Sequence, residues 1–243
     1  MVRPFRLRRL DLGDVHAEVT RKAIKHVHLS VLPPAGKVRV AAPEHMQLDT
    51  IRVFLIAKLA WIRAQRRKLQ AQERETPREF LNKESHYLWG KRYLLEVSTV
   101  DAAPRVERSP RKLHLWVRPG TEPSRCEEVL DAWYRQQVHE AMPALLPKWE
   151  QVLGVKAKRV FVQRMKTKWG SCTPSAGYIR LNTDLAKKPP ECLEYILVHE
   201  LVHLLESTHN ARFVGLMNLY LPHWQHLRRQ LNQLPVRHED WAY

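Results

Sequence analysis

Hydrophobic positions in the first third of the chain alternate with polar ones. His26-Val-His-Leu-Ser-Val-Leu32 and Lys37-Val-Arg-Val-Ala41 both alternate, and Pro33-Pro34 and Gly36 separate them. Alternation around a Pro/Gly turn predicts a β-hairpin. The period then lengthens. Ile51, Leu55, Leu59 and Ile62 fall on one helical face, which predicts one helix from Asp49 continuing into the charged stretch Arg63 to Arg74. Strand-like pieces return at Tyr87 to Val97 and at Lys112 to Val117. The loop between them, Asp101 to Arg111, carries two prolines and many charges and reads as a mobile hairpin connection.

A long helix is expected from about Pro123 to Leu153, with Val129, Leu130, Trp133, Val138, Met142, Leu145 and Leu146 roughly in helical period. Pro143 and Pro147 should interrupt or kink it, and Gly154 should end it. Arg159 to Met165 reads as a strand. Trp169 to Cys172 and Tyr178 to Asn182 flank a Thr-Pro-Ser-Ala-Gly turn and read as a second hairpin. Pro189-Pro190 opens a helix to about Glu206, with Glu191 near its positive end. A further helix runs from about His209 to Leu221, and Pro222 introduces a basic C-terminal helix. The pattern is α+β: residues 1–120 form a β-rich N-terminal region with one helix, and residues 121–243 form a second domain.

The 243 residues suffice for one large domain or two small ones. The longest aliphatic stretches, Ile51 to Ile62 and Ile196 to Leu205, are broken by charges, so no membrane span is expected. Asp11 and Asp14 follow the basic start where a signal peptide would have an apolar stretch, so none is predicted. Cys126, Cys172 and Cys192 form no CxxC pair and give no disulfide framework, which fits a reducing, cytoplasmic setting. The formal charge of +16 draws anionic partners, among them nucleotides, nucleic acid and acidic protein segments.

The chemistry lies in His199-Glu200-Leu-Val-His203, an HExxH pattern. Residues four apart on a helix share a face, so both imidazoles can reach one tetrahedral zinc ion. Glu200 points about 100° round the helix and can approach the fourth position as a general base. A third ligand is needed. His209 is preferred, provided that the helix ends near Glu206 and Thr208 caps the next one; Glu206 is the competitor. His223 and His226 read as surface residues. Three protein ligands and one open position make a catalytic arrangement of one zinc per chain. Such an ion lowers the pKa of its water to about 7.

Lys166-Thr-Lys-Trp-Gly-Ser-Cys172, Ile179-Arg-Leu-Asn182, Tyr195 through His203, and His209 with Phe213 resemble the YgjP-like metallopeptidases, also known as domain of unknown function 45 and related to the SprT and WLM zinc peptidases. The hairpin, the helix ending Ala60-Trp61-Ile62 and a strand at Trp89-Gly90-Lys-Arg-Tyr93 fit the same family. The resemblance implies His199, His203 and His209 as ligands and Glu200 as base. It also implies a gluzincin-like, minimal zincin core with a small sheet over the HExxH helix. In such a core an edge strand lines the cleft and can pair with an extended peptide, with Trp169, Gly170 and Ser171 on or beside it. Val214 stands where the family often has Trp, which alters packing behind the third histidine. Lys166, Lys168, Tyr178, Arg180 and Tyr220 are candidates for stabilising the oxyanion.

The leading expectation is a zinc-dependent metallopeptidase hydrolysing peptide bonds with a Glu-activated, metal-bound water. One alternative is a metal-dependent nucleoside triphosphate pyrophosphatase or phosphohydrolase, with Lys166, Lys168 and Arg180 holding the phosphates. Another is a basic nucleic-acid-associated protease, although no DNA-binding motif accompanies the charge.

Overall fold

In the computed structural model, which describes residues 8–32, 36–71, 75 and 78–235, the chain forms two compact units. One is Met1–Glu75 with Pro235–Tyr243, and the other is Thr76–Leu234.

The first unit has a four-stranded sheet of β1 (Arg8–Leu12), β2 (Val15–Lys22), β3 (His28–Leu32) and β4 (Lys37–Pro43), in the order β1-β2-β4-β3. β3 and β4 pair antiparallel, which is the expected hairpin; its Pro33-Pro34 turn lies outside the described residues. β1 and β2 form a further hairpin for which no expectation existed. Val15, Ala17 and Val19 of β2 are buried while the residues between them are not, the signature of a strand with one covered face. The single helix expected from Asp49 is two, α1 (Leu48–Ala57) and α2 (Leu59–Ala71). At Lys58 the hydrogen-bond spacing tightens, its N–H donating to Leu55 O at 3.0 Å, and helical spacing resumes with Ile62 N–H to Lys58 O at 2.9 Å. Ile51, Leu55 and Ile62 are fully buried in the core of this unit, so the interruption leaves the apolar face intact. Residues 72–74, where the expected helix would continue, lie outside the described residues.

The second unit opens with β5 (Ser85–Leu88), β6 (Lys91–Thr99), β7 (Arg105–Arg108) and β8 (Lys112–Val117), in the order β5-β6-β8-β7. The stretch from Tyr87 to Val97 is therefore a hairpin and not one strand. Trp89 and Gly90 form its two-residue turn, with φ of 49° and 75°. Positive φ at both positions matches the twist of the flanking strands, and Gly90 takes it without a steric cost. The charged connection around residues 101–111 contains β7, which pairs antiparallel with β8.

α3 (Pro123–Leu153) runs through Pro143 and Pro147 without interruption. Each proline frees the carbonyl four residues earlier, and those residues, His139 and Pro143, lie on the exposed face, where water can reach the freed groups. Cys126, Leu130, Tyr134, Val138 and Met142 form the buried stripe. Leu95, Leu113 and Leu115 of the β5–β8 sheet share one core with Leu130 and Val138, so residues 85–117 belong to the second unit.

β9 (Arg159–Gln163), β10 (Gly170–Thr173) and β11 (Tyr178–Asn182) make a three-stranded sheet with β11 central and β10 at an edge. α4 (Pro190–Val202), α5 (Ala211–Tyr220) and α6 (Trp224–Gln233) complete the unit. Ile179 and Leu181 of β11 are fully buried in the same core as Leu197 and Leu201 of α4, which seats this sheet on α4. The class is α+β, with six described helices and three mixed sheets. No described helix is long and apolar enough to cross a membrane.

Candidate metal centre

α4 stops at Val202, one turn earlier than expected, and His203 is its C-cap. The chain then tightens. Leu204 N–H donates to Leu201 O at 3.0 Å and Leu205 N–H to Val202 O at 2.9 Å. Glu206 turns its carboxylate to Thr208, accepting from the backbone N–H at 3.2 Å and from Oγ1 at 3.0 Å. These bonds fold the chain back over the helix end. Asn210, and not Thr208, caps α5, its Oδ1 accepting from Phe213 N–H at 3.0 Å. His209 thus precedes α5 instead of lying in its first turn.

The fold-back brings His199, His203 and His209 together. Nε2 of His209 lies 3.1 Å from Nε2 of His199 and 3.2 Å from Nε2 of His203. Two nitrogens bound tetrahedrally to one zinc ion stand about 3.3 Å apart, so both of these spacings fit, and all three donor atoms lie within 4.8 Å of one another. His203 donates its Nδ1–H to Glu206 O at 3.0 Å, which leaves its Nε2 lone pair facing the other two rings. The three residues form the cluster of donors able to hold a metal ion among the described residues. Glu206 contributes its backbone carbonyl to this arrangement, while its carboxylate is engaged with Thr208. Phe213, only 1% exposed, packs its ring 4.7–4.9 Å from all three imidazole centroids and fixes their mutual angles. Burial and the neighbouring imidazoles lower the pKa of His199 to about 3, and burial first, then His203, lowers that of His209. Neutral imidazoles are the form that binds a metal.

Glu200 is buried, and burial raises its carboxyl to about 7 against the opposing charge of Lys168. The backbone of Gly170 comes so close that a Cβ there would lie 2.6 Å from Glu200 Oε1 and 2.8 Å from Ile196 Cγ2. Only glycine at this edge-strand position lets Glu200 keep its place. The loop before β10 is held by Asn182, whose Nδ2 donates to the carbonyls of Met165 and Lys168, both at 2.8 Å.

A cavity of about 250 Å³ opens beside His199 and Glu200. Lys168, Trp169 and Gly170 line it on the β10 side, and Tyr195, Ile196 and Arg228 line it on the helical side. Other candidates stand elsewhere. Strand alternation turns Ser171 to the face opposite Gly170 and Cys172. Arg180 hydrogen-bonds Thr173 Oγ1 at 3.2 Å and lies over the Phe161 ring. Lys166, Tyr178, Arg180 and Tyr220 are absent from the lining of this cavity. Tyr195 and Asn182 lie in stretches that carry the resemblance but were given no role from the sequence, and Arg228 was not singled out. Tyr195 could have been, since it sits four residues before His199 on the same helical face. Arg228 reaches the cavity only through the packing of α6.

Three imidazole nitrogens converging beside a buried, unpaired carboxylate are the equipment of a metal-dependent hydrolase. The family comparison narrows the class: the model of the YgjP-like, metallopeptidase domain matches residues 25–234, and the chain belongs to this family. Comparison with curated proteins gives no match. Among solved structures, the metallopeptidase zymogen abylysin of Pyrococcus abyssi is similar at 23% identity, covering 37% of this chain and 90% of that one, with a TM-score of 0.35. The zymogen jannalysin of Methanocaldococcus jannaschii is similar at 20% identity, covering 38% and 94%, with a TM-score of 0.35.

Proposed function

We propose that the chain is a zinc-dependent peptidase in which His199, His203 and His209 hold the ion and Glu200 is the general base. The observation that carries this reading is the approach of one ring nitrogen from each of three histidines to within 4.8 Å of one another, beside a buried carboxylate. A zinc ion held there supplies Lewis acidity to a water molecule and to the substrate carbonyl. Glu200 accepts the proton of the attacking water and delivers it to the departing amine. Its pKa, raised to about 7 by burial, suits a group that must do both near neutral pH.

We read the core as gluzincin-like, with the β9–β11 sheet over α4, and assign catalysis to residues 121–243 with the β5–β8 sheet as support. β10 has β11 on one side only, so its other edge can pair with an extended peptide. Trp169, Gly170 and Ser171 would then flank the substrate backbone, and Lys168, whose charge acts on Glu200, would attract a developing oxyanion.

The test is cleavage of an unfolded protein by the purified chain, followed by mass spectrometry of the products. Wild type yields new peptide termini, and Glu200→Gln with a full complement of metal lowers the rate by at least about a hundredfold. Equal cleavage by both proteins would remove Glu200 from the mechanism.

A further inference from the structure

The wall of the cavity opposite β10 is built by α6, whose Arg228, Leu231 and Asn232 lie at the i, i+3 and i+4 positions of one face. Arg228 makes no hydrogen bond or ion pair with any described residue. Tyr195, only 4% exposed, lies in the same lining. Lys168 faces the same space from the β10 side. Among the described residues, Glu200 is the one carboxylate in the lining.

We infer that Arg228, with Lys168, Asn232 and the Tyr195 hydroxyl, forms a subsite for a carboxylate of the substrate peptide next to the scissile bond. The inference rests on the peptidase reading and adds to it a substrate class. At about 250 Å³ the cavity suits a single side chain or a chain end and not a larger ligand. Trp169, Ile196 and Leu231 give it apolar walls, which strengthen a charge pair by excluding water. A guanidinium presents a fork of donors that matches a carboxylate, and a phenol and an amide can satisfy its remaining lone pairs. The carboxylate can come from an acidic side chain or from the terminus of the substrate chain, and both present the same two oxygens.

The experiment uses the full chain carrying Glu200→Gln, so that peptides bind without turnover. One peptide sequence is made with Glu, Gln or Lys at a fixed position, each as the free acid and as the terminal amide, and affinities are read by fluorescence anisotropy. A carboxylate-bearing peptide binds at least about tenfold tighter than its neutral counterpart, and the arm in which this occurs, side chain or terminus, identifies the source. Adding Arg228→Gln abolishes the difference, and adding Arg228→Glu turns the preference towards Lys. Metal content and circular dichroism of these variants establish that they are folded. Equal affinities, or a carboxylate preference that survives Arg228→Gln, overturn the inference. Wild type cleaving the neutral peptides as well as the acidic ones also overturns it but leaves the peptidase reading standing. Neither binding nor cleavage of any peptide overturns both.

Discussion

A Cβ at residue 170 would meet Glu200 Oε1 at 2.6 Å and Glu200 Cγ at 2.9 Å, so something must move if one is added. The side chain of Glu200 is the more mobile partner. Gly170→Ala is therefore expected to displace the base and lower kcat by about tenfold or more, while metal content stays that of the wild type. Retained kcat in a metal-loaded Gly170→Ala protein would contradict the assigned contact. Glu200 also links stability to pH. Its carboxyl titrates near 7 when folded and near the ordinary 4.5 when free. The folded state thus retains a proton that the unfolded state releases. The associated stability is fully present below about 4.5 and is lost as pH rises through 7, with an upper value of about 3 kcal/mol. In chelator-treated protein, the stability of wild type relative to Glu200→Gln, from denaturant melts at pH 5.5 and 8, should fall with rising pH, because the lowered His199 and His209 act with opposite sign in both proteins and cancel in the difference.

Between elements, the link from α3 to α4 is carried by Glu194, which accepts from Trp149 Nε1 and Lys148 Nζ, both at 2.8 Å. Burial raises its carboxyl, but these two donors outweigh burial and hold it below the usual carboxylate range. The contribution is therefore present above the ordinary carboxylate pKa and is lost as pH falls through the depressed value. Glu194→Ala should cost about 1–3 kcal/mol at neutral pH, with a smaller difference from wild type in acid. Phe213→Ala should cost about 3–5 kcal/mol and weaken metal binding as well, because one ring braces all three histidines. A melt with and without added zinc separates the two effects. The elements also mark how far the sequence could be read. His199 and His203 are legible because helical spacing alone puts them on one face. His209 is preferred from the sequence only on condition that the helix end near Glu206; how it converges depends on α4 ending already at Val202 and on the Glu206–Thr208 turn, both set by local hydrogen bonds. β7 was hidden by its charges, which an exposed edge strand tolerates, and β2 by its polar alternate positions. The prolines of α3 mislead because their freed carbonyls face water. Arg228 lies on a helix that meets α4 only through tertiary packing, so no spacing rule reaches it.

For the molecule as a whole, the charge of +16 favours approach of acidic segments. Such steering weakens with salt, so kcat/KM for an acidic peptide should fall between 50 and 500 mM salt more steeply than for a neutral one. The central claim is narrower: His199, His203 and His209 together hold a metal ion. Metal content of the purified chain by plasma mass spectrometry, for wild type and His209→Ala, tests it most directly. About one zinc per chain in wild type and a sharp reduction in the variant is the predicted result. No metal in wild type, and none taken up when zinc is added, would contradict the account.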